Sequence, residues 1–280
     1  MSLRFTKMHG LGNDFMLLDR IQQDIPVPVE RIPELADRRQ GIGFDQLLIV
    51  EPATIAGSDF NYRIYNADGS EVEHCGNGAR CVTRYLIDQG LSDKTSIALS
   101  MPTGNIIYCE MGQDGQVTVD MGAPITAPQA IPFLAEAEAL SYPLQLSDTL
   151  SIEIAALSMG NPHAVYQVDD VDTAPVAELG PLIERHDLFP ERVNAGFMQI
   201  ISPDHIRLRV YERGAGETLA CGTGACAAVV AGILWSQLSE TVTVELKGGK
   251  LSINWKGAGH GHPVLMTGPA TTVYEGHLNL

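Results

Sequence analysis

An internal repeat constrains the fold of this 280-residue chain more than any other feature of its sequence. The segment RIYNADGSEVEHCGNGA (63–79) aligns with RVYERGAGETLACGTGA (209–225), so that Cys75 lies over Cys221 at an offset of 146 residues. Seven of the 17 aligned positions are identical, whereas average composition would give roughly one identity by chance. The period is too long for a solenoid. The repeat therefore predicts two domains of similar fold.

The two halves also share a coarse pattern of strands and helices. After Cys75, apolar residues recur at helical spacing, and Gly90 is placed to end this helix. Residues 225–235 are apolar on every face, which predicts a buried helix with strands wrapped around it. Strands are predicted near 3–8, 14–19, 46–50, 60–65, 95–101, 105–111, 115–121, 150–157, 163–168, 195–202, 205–211, 241–246 and 250–255, with a hairpin turn at 247–250, and helices at 29–39, 77–89, 174–186 and 224–236.

A stretch rich in Gly, Pro and Ala at 122–128 marks the predicted domain boundary. The N-terminal half, residues 1–122, then carries Cys75, and the C-terminal half, residues 123–267, carries Cys221. A chain of this length can form two domains of ordinary size.

Composition excludes several classes of protein. Hydrophobic residues make up 45% of the chain and charged residues 19%, which is incompatible with global disorder. The net charge of −16 argues against nucleic-acid or anionic-membrane partners, which require basic surfaces. The N-terminus resembles no signal peptide, and no apolar run has the roughly 18 residues of a membrane span. We therefore expect a cytoplasmic protein with reduced thiols, since five cysteines are a sparse, odd set.

Each repeated cysteine directly precedes a Gly-x-Gly element that opens a predicted helix. A helix N-terminus presents unpaired backbone N–H groups and about half a positive charge. These groups stabilise a thiolate, so we expect them to lower the pKa of the thiol. The same N–H groups can bind a carboxylate, because glycine allows the anion to approach the backbone. Cys75 and Cys221 are therefore candidates for acid/base groups beside a carboxylate.

The alternatives for the cysteines are packing, a metal site and nucleophilic catalysis. Cys81, Cys109 and Cys226 are interpreted as packing residues, because two of them fall inside apolar helices. The C-x5-C and C-x4-C spacings differ from the paired C-x2-C of structural zinc sites. His74 directly precedes Cys75, and adjacent side chains point away from each other in most backbones, so a shared metal ion is not expected. No Lys-Ser/Thr follows either Gly-x-Gly element, as a phosphate loop requires. A thiol nucleophile would need only one such cysteine.

Two matched thiols, one in each half, suit the inversion of a stereocentre. If the halves face each other across a cleft, one thiolate removes a proton from a carbon while the opposing thiol delivers one to the other face. Helix N-terminal N–H groups would stabilise the carbanion character that develops at a neighbouring carboxylate. This chemistry needs neither a metal nor an organic cofactor, so we expect none.

Five segments of the sequence resemble the diaminopimelate epimerases: MHGLGNDF (8–15), YNADGSEVEHCGNGARC (65–81), SMGNPHAV (158–165), ERVNAGFMQI (191–200) and YERGAGETLACGTGACA (211–227). The resemblance implies interconversion of LL- and meso-2,6-diaminopimelate without pyridoxal phosphate, for lysine and peptidoglycan synthesis. It implies an α/β (α+β) fold of two pseudo-symmetric domains, each a curved, mostly antiparallel sheet or barrel around a central helix. It further implies that residues from about 268 to 280 return to the first domain, and that the enzyme is a homodimer with Tyr274 a candidate interface residue.

The resemblance also implies roles for residues that match the family's motifs. Cys75 and Cys221 correspond to the two acid/base cysteines. Helix-mouth donors at Gly76, Asn77, Gly222 and Thr223 would hold the α-carboxylate, while His163 and Glu212 would tune the thiols. The remaining substrate-contacting positions are Asn13, Gln46, Asn66, Asn161, Asn194, Glu212 and Arg213. Arg213 can bind the distal carboxylate in bidentate fashion, and Glu212 can pair with an ammonium group.

A proline or hydroxyproline racemase-like enzyme is the alternative with the same two-cysteine chemistry. Its substrate has no distal amino-acid head, so Glu212, Arg213 and the amide residues would lack a purpose. A non-catalytic binding protein would be expected to lose at least one cysteine, and a zinc-stabilised module would bind metal. The sequence therefore favours the epimerase.

Overall fold

The computed structural model of the chain describes residues 2–24, 29–72, 75–259 and 261–279. His74, considered above as a metal ligand, lies outside these residues, as does Glu73. The chain divides into two compact units. The first comprises Met1–Asp120 with Thr267–Leu280, and the second comprises Met121–Met266. Each unit is described by itself below.

The elements follow one another in a similar order in the two units. The first segment of the chain contains β1 (Ser2–Gly10), β2 (Asn13–Asp19), α1 (Ile32–Ala36), β3 (Gln46–Pro52), β4 (Phe60–Asn66), β5 (Glu71–Val72), α2 (Gly76–Asp88), β6 (Ser96–Ser100), β7 (Ile106–Met111) and β8 (Val117–Asp120). The rest contains β9 (Tyr142–Ser147), β10 (Leu150–Ser158), β11 (Pro162–Gln167), α3 (Val176–Glu184), β12 (Asn194–Ser202), β13 (His205–Glu212), β14 (Gly216–Glu217), α4 (Gly222–Leu234), β15 (Thr241–Leu246), β16 (Gly249–Asn254), β17 (Leu265–Gly268) and β18 (Thr271–Asn279). Single 3-10 turns occupy Val29–Arg31 and Pro128–Ala130.

Strand pairing repeats between the units. In the first, β2 pairs with β1 antiparallel and with β3 parallel, and β4 pairs with β3 antiparallel and with β6 parallel. In the second, β11 pairs with β10 antiparallel and with β12 parallel, and β13 pairs with β12 antiparallel and with β15 parallel. The parallel registers also correspond, since Phe15 lies opposite Gln46 and His163 lies opposite Asn194. The mixed, mostly antiparallel sheet confirms the predicted fold class, but the described strands form an open sheet and not a closed barrel.

A central helix packs against the strands of each unit. Helix α2 contacts β1, β2, β3, β7 and β8, so strands far apart in the sheet all reach it. Helix α4 contacts β10, β11, β12, β13, β15 and β16 in the same way. Nearly all of α4 is buried, as its uniformly apolar sequence predicted. Each cysteine-bearing helix mouth is therefore held by the strands that surround it.

The other helix of each unit, α1 in the first and α3 in the second, packs against strands of its sheet in a separate core. In the first unit this core is formed by α1 and by alternate residues of β1, β2 and β3, including Phe5, Met16, Leu47 and Ile32. In the second unit, residues of α3 join those of β9 to β12 in an equivalent core. Where a strand is covered on both faces, it is apolar almost continuously, as in β3, where Leu47–Val50 are all buried.

Some elements differ from the sequence predictions. The helix predicted at 29–39 ends at Ala36, because the Asp37 carboxylate accepts the N–H groups of Arg39 and Gln40 and turns the chain instead. Strands β9, β17 and β18 and the two-residue strands β5 and β14 were not predicted. Most of β18 is exposed and shows no alternation of apolar and polar residues, so its pairing with β1 left no periodic signal. The two-residue hairpin turn between Leu246 and Gly249 is confirmed.

Candidate active site

Cys75 is the N-cap residue of α2, with φ −148° and ψ 106°. Its sulfur accepts the N–H of Gly78 at 3.4 Å and lies 3.9 Å from Oδ1 of Asn13. The buried hydroxyl of Tyr62 donates to the Cys75 carbonyl at 3.2 Å. A Cβ atom at position 78 would collide with that hydroxyl and lie 3.0 Å from Leu48. Glycine is therefore required at position 78, in the first turn of α2.

Two amide side chains beside Cys75 form a hydrogen-bond chain with a single direction. Arg80 Nη2 donates to Asn77 Oδ1 at 2.9 Å, Asn77 Nδ2 donates to Asn13 Oδ1 at 3.1 Å, and Asn13 Nδ2 donates to Asp45 Oδ2 at 3.1 Å. An arginine can only donate and a carboxylate can only accept. Only one orientation of the two amides satisfies all three bonds, and it turns the oxygen of Asn13 toward Cys75.

An ion-pair network of Lys7, Asp14, Arg38 and Asp45 lies next to Asn13. The neighbouring carboxylate of Asp14 accepts from Lys7 at 2.6 Å and from both terminal nitrogens of Arg38 at 2.7 and 3.0 Å. Arg38 also pairs with Asp45 at 2.7 Å. Burial raises the pKa of Asp14, but the bonds and charges of Arg38 and Lys7 outweigh it and leave the pKa below its ordinary value. Asp14 therefore stays ionised and keeps this network together.

Gln46 and Asn66 are brought together at the same end of the sheet. They are opposite partners in the pairing of β3 with β4. Gln46 Nε2 donates to Asn66 Oδ1 at 3.0 Å, and Asn66 Nδ2 donates to the Ser70 hydroxyl at 3.1 Å. The first unit thus presents four neutral amides, those of Asn13, Gln46, Asn66 and Asn77, at strand ends and at a helix mouth.

Cys221 is the N-cap residue of α4, with φ −116° and ψ 106°. Its sulfur lies 3.6 Å from the Thr223 hydroxyl, and the negative charge of the Glu212 carboxylate acts on it. A Cβ atom at Gly224 would lie 3.2 Å from the sulfur and 3.1 Å from Val210. The hydroxyl of Thr218 donates to Oε1 of Glu212 and holds that carboxylate in place.

The pKa of Cys221 departs from the expectation for a thiol at a helix mouth. Burial raises it well above its ordinary value, and the charge of Glu212 raises it further. Bonds from Thr223 and from the Gly224 N–H act in the opposite direction but do not prevail. The expectation of a lowered pKa is therefore wrong for Cys221, because the helix N-terminus contributes less than the loss of water and the neighbouring carboxylate.

The other three cysteines lie inside the units. Cys81, Cys109 and Cys226 are at most 1% exposed, as expected for packing residues. Burial raises the pKa of Cys81 and of Cys109 to about 12. All five cysteines are free thiols.

His163, Asn161, Asn194 and Arg213 lie together in the second unit. His163 Nε2 is 3.0 Å from Asn161 Oδ1, a contact that suits the tautomer with a proton on Nε2. Asn194 is opposite His163 in the parallel pairing. Its Nδ2 donates to the carbonyl of Pro162 at 3.0 Å, and its Oδ1 accepts the backbone N–H of Arg213 at 2.9 Å. The exposed side chain of Arg213 donates to the Glu191 carbonyl at 2.9 Å.

Burial, together with the positive charge of Arg213, lowers the pKa of His163 to about 3. The unfolded chain takes up a proton at this residue below about pH 6.5, whereas the folded protein does so only near pH 3. The free energy of unfolding should therefore fall between these values, by up to about 1.4 kcal/mol for each pH unit. Urea titrations of wild type and His163→Gln from pH 8 to pH 3 measure this. Equal pH slopes in the two proteins would show that His163 is not buried in its neutral form.

The predicted residues therefore fall into two sets, one in each unit. Sequence reasoning missed the residues that orient them, which are the charged Arg80 and Asp45 in the first unit and the hydroxyl of Thr218 in the second. Arg80 is adjacent to the repeated segment and is completely buried, yet nothing in its sequence neighbourhood indicates burial. Tyr274 lies elsewhere, on the largely exposed strand β18.

Structural comparison places the fold among known enzymes. A hydroxyproline epimerase from Agrobacterium vitis superposes with a TM-score of 0.72 at 16% identity, covering 99% of this chain and 92% of that one. A PhzF-family phenazine biosynthesis protein from Bacillus anthracis gives 0.70 at 17% identity and covers both chains completely. The protein therefore has the fold shared by the proline racemase-like and PhzF-like proteins.

Sequence comparison is more specific. The profile of the family described as "Diaminopimelate epimerase" matches residues 5–127 and 155–273. A diaminopimelate epimerase of Chromobacterium violaceum is 59% identical over 280 residues, and one of Ectopseudomonas mendocina is 56% identical over 280, each alignment covering both chains completely. The chain belongs to the diaminopimelate epimerase family.

The described part of the chain has neither a membrane-spanning helix nor a cluster of metal ligands. None of its helices combines the length and apolar character needed to traverse a bilayer. No cluster of three or more His, Cys, Asp or Glu side chains among these residues has the arrangement of a metal site.

Proposed function

We propose that this chain is an isomerase that interconverts LL- and meso-2,6-diaminopimelate, with Cys75 and Cys221 as its acid/base pair. Full-length identity of 59% to a diaminopimelate epimerase supports the activity. The observation that carries the mechanism is the placement of both cysteines as N-caps of the two central helices. No other pair of thiols in the sequence occupies equivalent positions of the repeat.

In the proposed reaction, the thiolate of one cysteine takes the α-proton of the substrate, and the thiol of the other delivers a proton to the opposite face. The C–H electron pair passes into the α-carboxylate group before the new C–H bond forms. After one turnover the two sulfurs have exchanged protonation states. Backbone N–H groups at Gly76, Asn77, Gly222 and Thr223 bind the α-carboxylate, because the first N–H groups of a helix have no intrahelical acceptor.

We infer that Cys221 holds its proton in the resting enzyme. Cys221 is 4% exposed and the charge of the Glu212 carboxylate acts on its sulfur, so the thiolate is disfavoured there. Cys221 is then the acid of the first turnover, and Cys75 is the base, because a two-base exchange needs one sulfur in each state. Glu212 and the neutral His163 are the groups of the second unit that set the protonation of the Cys221 thiol.

The remaining polar residues suit the distal head of the substrate, which must bind without reacting. Arg213 binds the distal carboxylate and Glu212 pairs with an ammonium group. The amides of Asn13, Gln46, Asn66, Asn161 and Asn194 supply neutral donors and acceptors that fix one stereoisomer of this head. A substrate such as proline has no group for these residues to bind.

An assay of purified protein with LL-diaminopimelate tests the proposed function. We expect conversion to the meso isomer, followed by a dehydrogenase coupled to meso-diaminopimelate, and no racemisation of proline. Because both proton carriers are side chains, activity should survive EDTA and hydroxylamine but require a thiol reductant. Loss of activity on chelation, restored by added metal, would contradict this chemistry.

We also propose that the enzyme works in the cytoplasm as a homodimer in lysine and peptidoglycan precursor synthesis. Strand β18 supports the dimer, because most of it is exposed. Its Val273 and Tyr274 are 54% and 44% exposed, and exposed apolar edge strands invite pairing with another chain. A sedimentation mass of one chain at micromolar concentration would exclude this dimer.

A further inference from the structure

Glu184 is a buried carboxylate that the proposed reaction does not use. It is the last residue of α3 and is only 2% exposed, next to the apolar Ile183 and Val193 of the second core. Its Oε1 accepts the backbone N–H of Gly214 at 2.9 Å. Its backbone carbonyl accepts the N–H of Val193 at 3.2 Å. Glu184 thus bonds to two other segments of the chain, one at Val193 and one at Gly214.

Both of these segments carry residues of the candidate site. Val193 precedes Asn194, and Gly214 follows Arg213. Asn194 Oδ1 accepts the backbone N–H of Arg213 at 2.9 Å, so the two segments are also bonded to each other. Gly214 has φ +75°, so the chain turns sharply directly after Arg213. Glu184 therefore holds the turn from which the Arg213 side chain projects.

The ion pairs of Glu184 explain its burial less well than its bond to the Gly214 N–H does. Arg185 Nε lies 3.3 Å from Oε2, and Arg192 Nη1 lies 3.7 Å from Oε1, but these arginine side chains are 68% and 55% exposed. Exposed partners contribute little, because solvent screens them. Replacing a buried ionic group with an apolar one of similar size is often neutral or stabilising. Stability alone therefore does not account for a carboxylate at this position.

We propose that Glu184 is a positioning residue that sets the specificity for the second carboxylate of the substrate, by fixing the Arg213–Gly214 turn through the Gly214 N–H. This inference rests on the proposed function for its effect on the substrate. The positioning itself is a property of the second unit and can be measured without any substrate.

Glu184→Met and Glu184→Gln form a matched pair for the test. Glutamine keeps an oxygen that can accept the Gly214 N–H, whereas methionine fills the space without an acceptor. For Glu184→Met we expect KM for LL-diaminopimelate to rise at least about tenfold, with kcat within about threefold of wild type and an unchanged or higher Tm. For Glu184→Gln we expect KM within about threefold of wild type. A purely structural role would instead lower Tm and the active fraction, and leave KM unchanged.

Two further variants keep the test decisive if Glu184→Met does not fold. Glu184→Asp retains the charge but withdraws the acceptor by one methylene, so KM should rise here too. Arg192→Gln removes an exposed ion-pair partner and leaves the acceptor in place, so KM should stay at the wild-type value. A wild-type KM in both Glu184→Met and Glu184→Asp, or an equal rise in Glu184→Gln, would overturn the proposal.

Hydrogen exchange separates this inference from the proposed function. The Gly214 amide should exchange slowly in wild type and in Glu184→Gln, and at least about tenfold faster in Glu184→Met or Glu184→Asp. If wild type does not epimerise diaminopimelate, the proposed function fails, while the exchange rates still test the positioning. Equal protection of the Gly214 amide from exchange in wild type and the three Glu184 variants would refute the positioning role of Glu184.

Discussion

Epimerisation is expected to fall by roughly 10²- to 10⁴-fold when either Cys75 or Cys221 is replaced by alanine, the range for loss of a general acid or base. Each substitution removes the proton carrier on one face of the α-carbon and leaves the other face intact. Initial rates with LL- and with meso-diaminopimelate measure the loss. One-sided exchange of the α-proton can persist, and the two variants should favour opposite stereoisomers.

Other cysteines in the same helices provide matched controls. Cys81→Ala in α2 and Cys226→Ala in α4 remove buried thiols that lie away from the helix mouths, so both should retain turnover close to wild type. In heavy water, early product from the wild type should carry deuterium at the inverted centre while remaining substrate stays largely undeuterated. Near wild-type rates in Cys75→Ala or Cys221→Ala would show that the two thiols are not the acid/base pair.

Arg213→Lys is expected to lower kcat/KM by roughly 10- to 150-fold, equivalent to about 1.5–3 kcal/mol for a hydrogen bond between charged groups. Lysine keeps the positive charge but loses the planar fork that binds a carboxylate through two parallel bonds. It also loses the donor that reaches the Glu191 carbonyl at 2.9 Å in the structure. Steady-state kinetics with LL-diaminopimelate measure the change.

Arg207→Lys is the control for this substitution. Arg207 pairs with Asp172 at 2.8 Å on the exposed surface of the same unit, so its replacement should leave kcat/KM within about twofold of wild type. Unchanged kinetics in Arg213→Lys would place this residue outside the substrate site, and equal losses in the two variants would indicate a general effect of charge or packing.

Much of the fold followed from the repeat and from local patterns. The helices that begin after Cys75 and Cys221 lie where the repeat and the glycines predicted them, because capping and apolar periodicity are properties of neighbouring residues. The same symmetry extends to Gln46 and Asn194, each of which starts a strand opposite an equivalent partner. No local pattern marks this correspondence, since the two residue types differ.

The short helix α1 and the strand β18 show where local patterns fail. The carboxylate of Asp37 competes for the backbone N–H groups that would have continued α1. Strand β18 forms because β1 presents a free edge to it, and a mostly exposed strand needs no apolar alternation. Both outcomes depend on hydrogen-bond partners that periodicity does not report.

The sequence by itself determined that the protein has two related halves, that each half places a cysteine at a helix mouth, and that the residues match one family of isomerases. These are statements about neighbouring residues and about motifs, which a linear chain carries in full. Only the tertiary structure decided the electrostatic state of the sites. It buried Cys221 beside Glu212 and so raised a pKa that the helix N-terminus alone would lower. It also placed Arg80 and Asp45 at opposite ends of one amide chain. Desolvation and hydrogen-bond direction depend on which distant segments cover a group, and packing alone settles that.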